Sequence, residues 1–300
     1  MDLLVFDFGG TTVKYSVWQG SALVEPVASF PTPKTWEAAK ATLLELKHSL
    51  AQRYQLAGAA FSFPGVIDQA NGQIVGLSAI EYIHNFPIKA ELEALLGLPV
   101  AFENDANCAA LAEVWTGVAK GLEDVLFVVP GTGIGGAVVL GGKIRHGAHL
   151  YGGEWGHIYL GGTDTDPGHN WSAMATAVHM AERYCRAKEL PDTAYSGREV
   201  FALAEQGDVI AQKEVATFYH YLSVGIFNLQ VSLDPQAVVI GGAVSANPAV
   251  IERLANEINA LMAHNHLNFH IDLRPCQYGN DANLIGAVKN YLDRMAIKEA

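Results

Sequence analysis

Cysteine is scarce in this 300-residue chain: Cys108, Cys185 and Cys276 are odd in number and widely spaced. That argues against a disulfide framework and against a cysteine-built zinc site. Positive charge is also in short supply. Nineteen Lys and Arg stand against 31 Asp and Glu, a net charge of −12. General binding to nucleic acid or to an anionic membrane needs basic patches, so both are disfavoured. An anionic ligand is not, because backbone N–H groups bind phosphate without any lysine. No apolar run is long enough to span a bilayer, and no low-complexity tract or flexible linker interrupts the chain. The first residues read directly as strand, without the basic region of a signal peptide, so a cytoplasmic protein is expected.

What is present is an alternation of strand and helix patterns. Residues 3–8 and 13–18 read as a hairpin and 24–30 as a third strand. Residues 35–54 have helical spacing, 57–63 form a buried strand, 88–96 a short helix, 100–102 a strand and 105–118 a helix. A boundary is expected near 117–121. A second strand–glycine turn–strand unit follows, over 125–129 and 137–140. Helices are predicted over 211–233, 248–263 and 284–295, with a strand at 237–240. The expectation is two α/β domains, 1–117 and 118–283, with the last helix (284–300) packing back on the first.

Four loops carry chemistry. In "DFGGTT", Gly9 and Gly10 free the backbone to approach a ligand, and Thr11 and Thr12 add hydroxyl donors. Asp7 stands where it could hold Mg²⁺ through water, and Lys14 where it could reach phosphate. A tight hairpin with a turn acid accounts for the stretch equally well. In "PGTGIGGA", Gly131, Thr132, Gly133 and Gly135 strip side chains from a turn whose N–H groups can ring a phosphate. A strand, not a helix, follows it, which disfavours a dinucleotide-binding fingerprint. In "FENDANCAALAE", Asn104 or Asp105 can cap the next helix. Yet a cap needs one such residue, and an Asn–Asp pair can also grip a polyol and offer a base. In "HGAHLYGGEWGHI", Glu154 and His157 suit vicinal hydroxyls and Trp155 an apolar sugar face. His146, His149, His157 and His169 fall close together, but no cysteine accompanies them, which weakens a zinc reading.

In this order the four loops resemble the ROK family of sugar kinases, which have the actin/hexokinase/Hsp70-like (ribonuclease H-like) fold with a central cleft. "ENDAN", "GTGIGG" and "GEWGH" carry the resemblance, and it extends to "VVIGGAVS". It implies the following roles. Gly9 to Thr12 and Gly131 to Gly135 hold the phosphates of ATP with Mg²⁺, and Gly241 and Gly242 approach the adenosine. Asn104, Asp105, Glu154 and His157 bind the sugar, with Asp105 as catalytic base, and Gly65 and Asn85 line the sugar side. The protein is expected to act on a small-molecule sugar, as a homodimer.

Many members follow the GH with a CxCGxxGCxE cluster, which binds structural zinc and supplies one more sugar-binding glutamate. Here "IYLGGTDTDPGHNWSAMAT" has neither cysteine nor glutamate. The chain is in this respect similar to β-glucoside kinases and some N-acetylmannosamine kinases. Either the corner beside C1 is open, admitting a β-glucoside such as cellobiose, or Ser172, His169 or Asn170 closes it. Pro130 also departs from the usual apolar strand residue. The alternatives are an N-acetylmannosamine kinase, a fructokinase, a small carboxylate kinase of the same fold group, or an idle sugar sensor.

Overall fold

The computed structural model describes all residues except Glu25, 162–166 and 300. The strands, in order, are β1 (Asp2–Phe8), β2 (Thr12–Gln19), β3 (Ala22–Leu23), β4 (Ala28–Pro31), β5 (Leu56–Phe63), β6 (Val66–Asp68) and β7 (Gln73–Val75). They continue with β8 (Val100–Asn104), β9 (Val125–Pro130), β10 (Ile134–Leu140), β11 (Lys143–Ile144), β12 (Ala237–Ile240) and β13 (Leu273–Pro275). The helices are α1 (Trp36–Leu50), α2 (Ile88–Leu96), α3 (Asp105–Trp115), α4 (Trp171–Ala175) and α5 (Ala177–Ala187). They end with α6 (Gly197–Glu205), α7 (Val209–Leu233), α8 (Pro248–His264) and α9 (Ala282–Glu299). Among the described residues no helix is long and apolar enough to cross a membrane.

Two compact units divide these elements. The first holds Met1–Lys120, His146–Tyr151 and Tyr278–Ala300, and the second holds Gly121–Arg145 and Gly152–Gln277. The sheet of the first runs β3-β2-β1-β5-β8, with β4 also on β2. β1 and β2 are antiparallel, whereas β5 and β8 continue parallel to β1. β1 is buried on both faces, as a central strand must be. Its alternation sends Leu4, Phe6 and Phe8 to one core, with Leu43 of α1 and Leu92 of α2. Leu3 and Val5 go to another, with Leu284, Ala287, Val288 and Tyr291 of α9 and Cys108 of α3. Asp7 continues this second face, so the strand period delivers an acid to the α3/α9 side.

Of the strand expected over 24–30 only the end is strand, within β4, while β3 precedes it; both pair with β2. Pro26 lies between them and has no N–H to give a ladder. The helix expected to reach residue 118 stops at Trp115, and the Val118 N–H turns to the Glu113 carboxylate at 3.0 Å.

The second unit's sheet runs β11-β10-β9-β12-β13. β12 is parallel to β9, and β10 folds back antiparallel. Trp171 and Phe218 are fully buried in its core. The ring of Trp171 lies where a Cβ at Gly225 of α7 would stand, 2.1 Å from ring carbon Cε2. The long α7 starts on the Asp208 cap and ends at Asp234 in the left-handed region, followed by Pro235.

Candidate active site

The turn after β1 is braced by a residue absent from the sequence reasoning. Thr32 donates its hydroxyl to the Gly9 carbonyl at 2.6 Å and its N–H to the Thr11 carbonyl at 3.0 Å. The Gly9 N–H reaches the Thr12 carbonyl at 3.0 Å. A Cβ on Gly10 would stand 2.7 Å from that of Ala79, so only glycine lets that loop lie over the turn. Gly10, Thr11 and Thr12 are exposed. Asp7 lies beneath, buried, and accepts from Ser62 Oγ at 2.8 Å and Asn283 Nδ2 at 3.1 Å through the same oxygen. Its other oxygen is 3.8 Å from Lys14 Nζ, so the lysine is paired with this acid.

Asp105 opens α3 at the end of β8. Asn104 is the cap: its Oδ1 accepts the Asn107 N–H at 3.2 Å, and its Nδ2 donates to the Gly65 carbonyl at 3.1 Å. Gly65 sits at φ +107, and the His84 ring lies where its Cβ would be. Asn85, exposed at φ +61, donates its N–H to the Ile74 carbonyl at 2.8 Å. The Asp105 carboxylate accepts the Ala106 N–H at 2.9 Å. Burial pushes its pKa up to about 6, the charge of Asp7 adds to the rise, and the Ala106 N–H opposes it.

Glu103, part of the same polar stretch but given no role by its spacing, is the buried neighbour. Only 1% exposed, it accepts from His146 Nε2 at 2.9 Å, the Asn104 N–H at 2.9 Å and Asn107 Nδ2 at 3.1 Å. Burial resists its ionisation. The bond to His146 and its charge, with the Asn104 and Asn107 donors, outweigh that and hold the carboxyl below the usual range.

In the second unit, the turn between β9 and β10 closes with the Gly131 N–H on the Gly133 carbonyl at 2.8 Å. The Ile134 N–H donates to Ser172 Oγ at 2.9 Å, so Ser172 pins the loop's far side. Gly131 and Thr132 form its exposed tip. The glycines have different reasons. Gly135 has open space where a Cβ would point, whereas a Cβ on Gly136 would lie 2.0 Å from the Phe127 carbonyl and 2.3 Å from Trp155 Nε1. Gly241 packs on Val129, and Gly242, at φ +71, lies against the carbonyl of Pro130, which ends β9.

Glu154 and His157 bracket a 3₁₀ turn, and both are exposed. Trp155 between them corrects an expectation. It is buried in the core and donates Nε1–H to the Phe127 carbonyl at 2.7 Å, so it cannot offer a ring to a sugar. Of the four histidines, His146 is on Glu103, and His149 and His157 are exposed. No group of three or more His, Cys, Asp or Glu that could hold a metal forms among the described residues. Part of the run that replaces the cysteine cluster, 162–166, lies outside them. Of its described residues, Asn170 caps α4 through the Ala173 N–H at 2.9 Å, and Ser172 is the loop pin already named.

The comparisons with known proteins agree along the whole chain. The β-glucoside kinase of Listeria monocytogenes is 31% identical over 298 residues, 97% of this chain and 98% of that protein. The β-glucoside kinase of Klebsiella pneumoniae is 32% identical over 295 residues, 97% and 96% respectively. A crystal structure of a ROK family protein from Streptococcus pneumoniae in complex with sucrose is 30% identical. It matches with a TM-score of 0.89 over 99% of this chain and 100% of its own. The actin/hexokinase-like α/β fold expected from the loops is thereby borne out. The ROK profile matches residues 4–293, and the chain belongs to the ROK family.

Proposed function

We propose that this protein is an ATP-dependent kinase that phosphorylates the primary hydroxyl of a hexose or a β-glucoside. The observation that carries the reading is Asp105: a carboxylate at a helix start, beside an anchored Asn104, with its pKa raised to about 6. That value leaves it ionised at neutral pH yet basic enough to accept a proton. Asn104, with Gly65 beside it, is proposed to bond the other hydroxyls together with Glu154 and His157, and Asn85 to line the sugar side. The turns at Gly9–Thr12 and Gly131–Gly135 are proposed to offer N–H groups and threonine hydroxyls to the phosphates, and Gly241 and Gly242 to approach the adenosine. Asp105 takes the hydroxyl proton as the oxygen attacks the γ-phosphorus in line with the leaving ADP. Kinase names among similar proteins support the reading. ADP release in the presence of a panel of sugars tests it.

Mg²⁺ fits this donor set. One Asp7 oxygen is free of short hydrogen bonds, and a single carboxylate with retained waters and substrate phosphates is how Mg²⁺ is usually held. When bound it neutralises nucleotide charge. EDTA should abolish turnover and Mg²⁺ restore it, without zinc. Stoichiometric zinc found by elemental analysis of active protein would contradict this.

The C1 side of the sugar is proposed to be open. The glutamate supplied by the cysteine cluster is missing, and Asn170 and Ser172 are engaged with backbone N–H groups. The Streptococcus relative was solved with sucrose, a glucoside blocked at C1. A site with one fewer group to leave unpaired rejects less. Methyl β-glucoside and cellobiose should therefore be turned over within about tenfold of glucose in kcat/KM. If the methyl group at C1 abolishes turnover, the corner is closed.

A further inference from the structure

One buried charge beside Asp105 has no part in the mechanism above. Oε1 of Glu103 takes the N–H of Asn104, the cap of α3, and Asn107 Nδ2 in its first turn. Oε2 takes His146 Nε2 at 2.9 Å and lies 3.7 Å from Arg294 of α9. Gln69 approaches the same oxygen at 3.4 Å while donating to the Phe102 carbonyl. His146 begins a strap, His146–Tyr151, that groups with the first unit although the residues on both sides of it belong to the second. The strap has little to hold itself. Gly147 and Leu150 are at positive φ, and among the described residues its own backbone closes one long hydrogen bond, Leu150 N–H to the Gly147 carbonyl at 3.4 Å. His149 and Tyr151 are exposed. Three residues after the strap comes Glu154.

We propose that the Glu103–His146 pair is a tether fixing the strap against the start of α3, and that Glu103 is thereby a positioning residue for sugar binding. The chemistry needs a carboxylate. All five groups that face it are donors, and a glutamine would turn an NH₂ toward some of them. One anion thus holds the backbone of Asn104, proposed to bond the sugar, against the strap. The tether rests on geometry alone; what it positions rests on the kinase reading.

Trypsin reads the tether directly, because Arg145 is exposed and immediately precedes the strap. Cleavage of the Arg145–His146 bond under native conditions should be about tenfold faster in Glu103→Gln and in His146→Ala, through local opening. His146→Gln, which keeps an N–H donor, should recover most of the protection. In the same variants sugar KM should rise about tenfold while ATP KM and kcat stay within about twofold, and the double variant should be no worse than the worse single one. Unchanged cleavage in both variants overturns the tether. Sugar and ATP KM rising together, or a fall in kcat alone, overturns the positioning role. If no sugar drives ADP release by the wild type, the kinase reading and the positioning role fall together, and the cleavage rates still decide the tether.

Discussion

Replacing Asp105 by asparagine should remove most turnover while leaving sugar binding in place. Asparagine matches the size of the acid and can still accept the Ala106 N–H, but it takes no proton at neutral pH. General-base contributions are typically ~10²–10⁴-fold, and the loss should fall in that range. The wild type should show an acid limb in kcat/KM. With the pKa at about 6, the active carboxylate is protonated as pH falls through that value, so the rate drops below it. The variant's residual activity should lack this limb. Stability should move the opposite way. A folded-state pKa above the unfolded one means that the folded chain holds the proton more tightly. Stability from this group is fully present below the unfolded value, near 3.8, and is lost as pH rises through about 6. The substituted amide, a permanent stand-in for the protonated acid, escapes that loss. Asp105→Asn should melt higher than the wild type at pH 8, with the gap closing toward pH 4. Near-normal turnover, or an equal melting temperature at both pH values, would remove Asp105 from the role assigned to it.

The parts of this arrangement that were legible in the sequence are those set by local pattern. Apolar runs on either side of the Gly9–Gly10 turn placed β1 and β2, and the strand period of two explains why Asp7 faces α9. Asn104 and Asp105 could be set at a helix start because a cap is a matter of a few consecutive residues. What escaped depends on partners far along the chain. Glu103 was in view as part of "ENDAN", but its meaning comes from His146 and Arg294, which no spacing connects to it. Thr32 and Ser172 each brace a glycine turn from a distant segment. Trp155 among glycines suggested a sugar platform, but its neighbours Gly136 and Gly153 are small because the indole and the backbone pack there. The helices Ala177–Ala187 and Gly197–Glu205 were not anticipated. β13, three residues on a sheet edge, is too short to show a period.

Gly286→Ala should destabilise the first unit and with it the base. α9 and α3 pack closely, and Gly286 is where their backbones meet. A Cβ there would stand 1.7 Å from the Cys108 carbonyl oxygen, 2.3 Å from its carbon and 2.7 Å from its Cα. These are main-chain atoms of a helix, so no side-chain rotation relieves the clash. Helix propensity favours the substitution by about 1 kcal/mol. Forcing an extra carbon into a packed core costs roughly 1–3 kcal/mol, more where the backbone itself must move. Contact at this distance belongs to the upper end, so the net sign is destabilising. At roughly 2–4 °C per kcal/mol for a chain of this class, the melting temperature should fall by several degrees. Function should suffer beyond the stability loss. Cys108 lies one turn from Asp105, and a shift of α3 moves the carboxylate relative to Asn104 and its anchor on Gly65. A misplacement of about 1 Å can cost 10²-fold in rate. Folded Gly286→Ala, assayed well below its melting point, should therefore show a lower kcat, whereas a variant weakened only in stability would keep the wild-type kcat. An unchanged or higher melting temperature would mean that the two helices separate without cost, and that the contact does not fix the base.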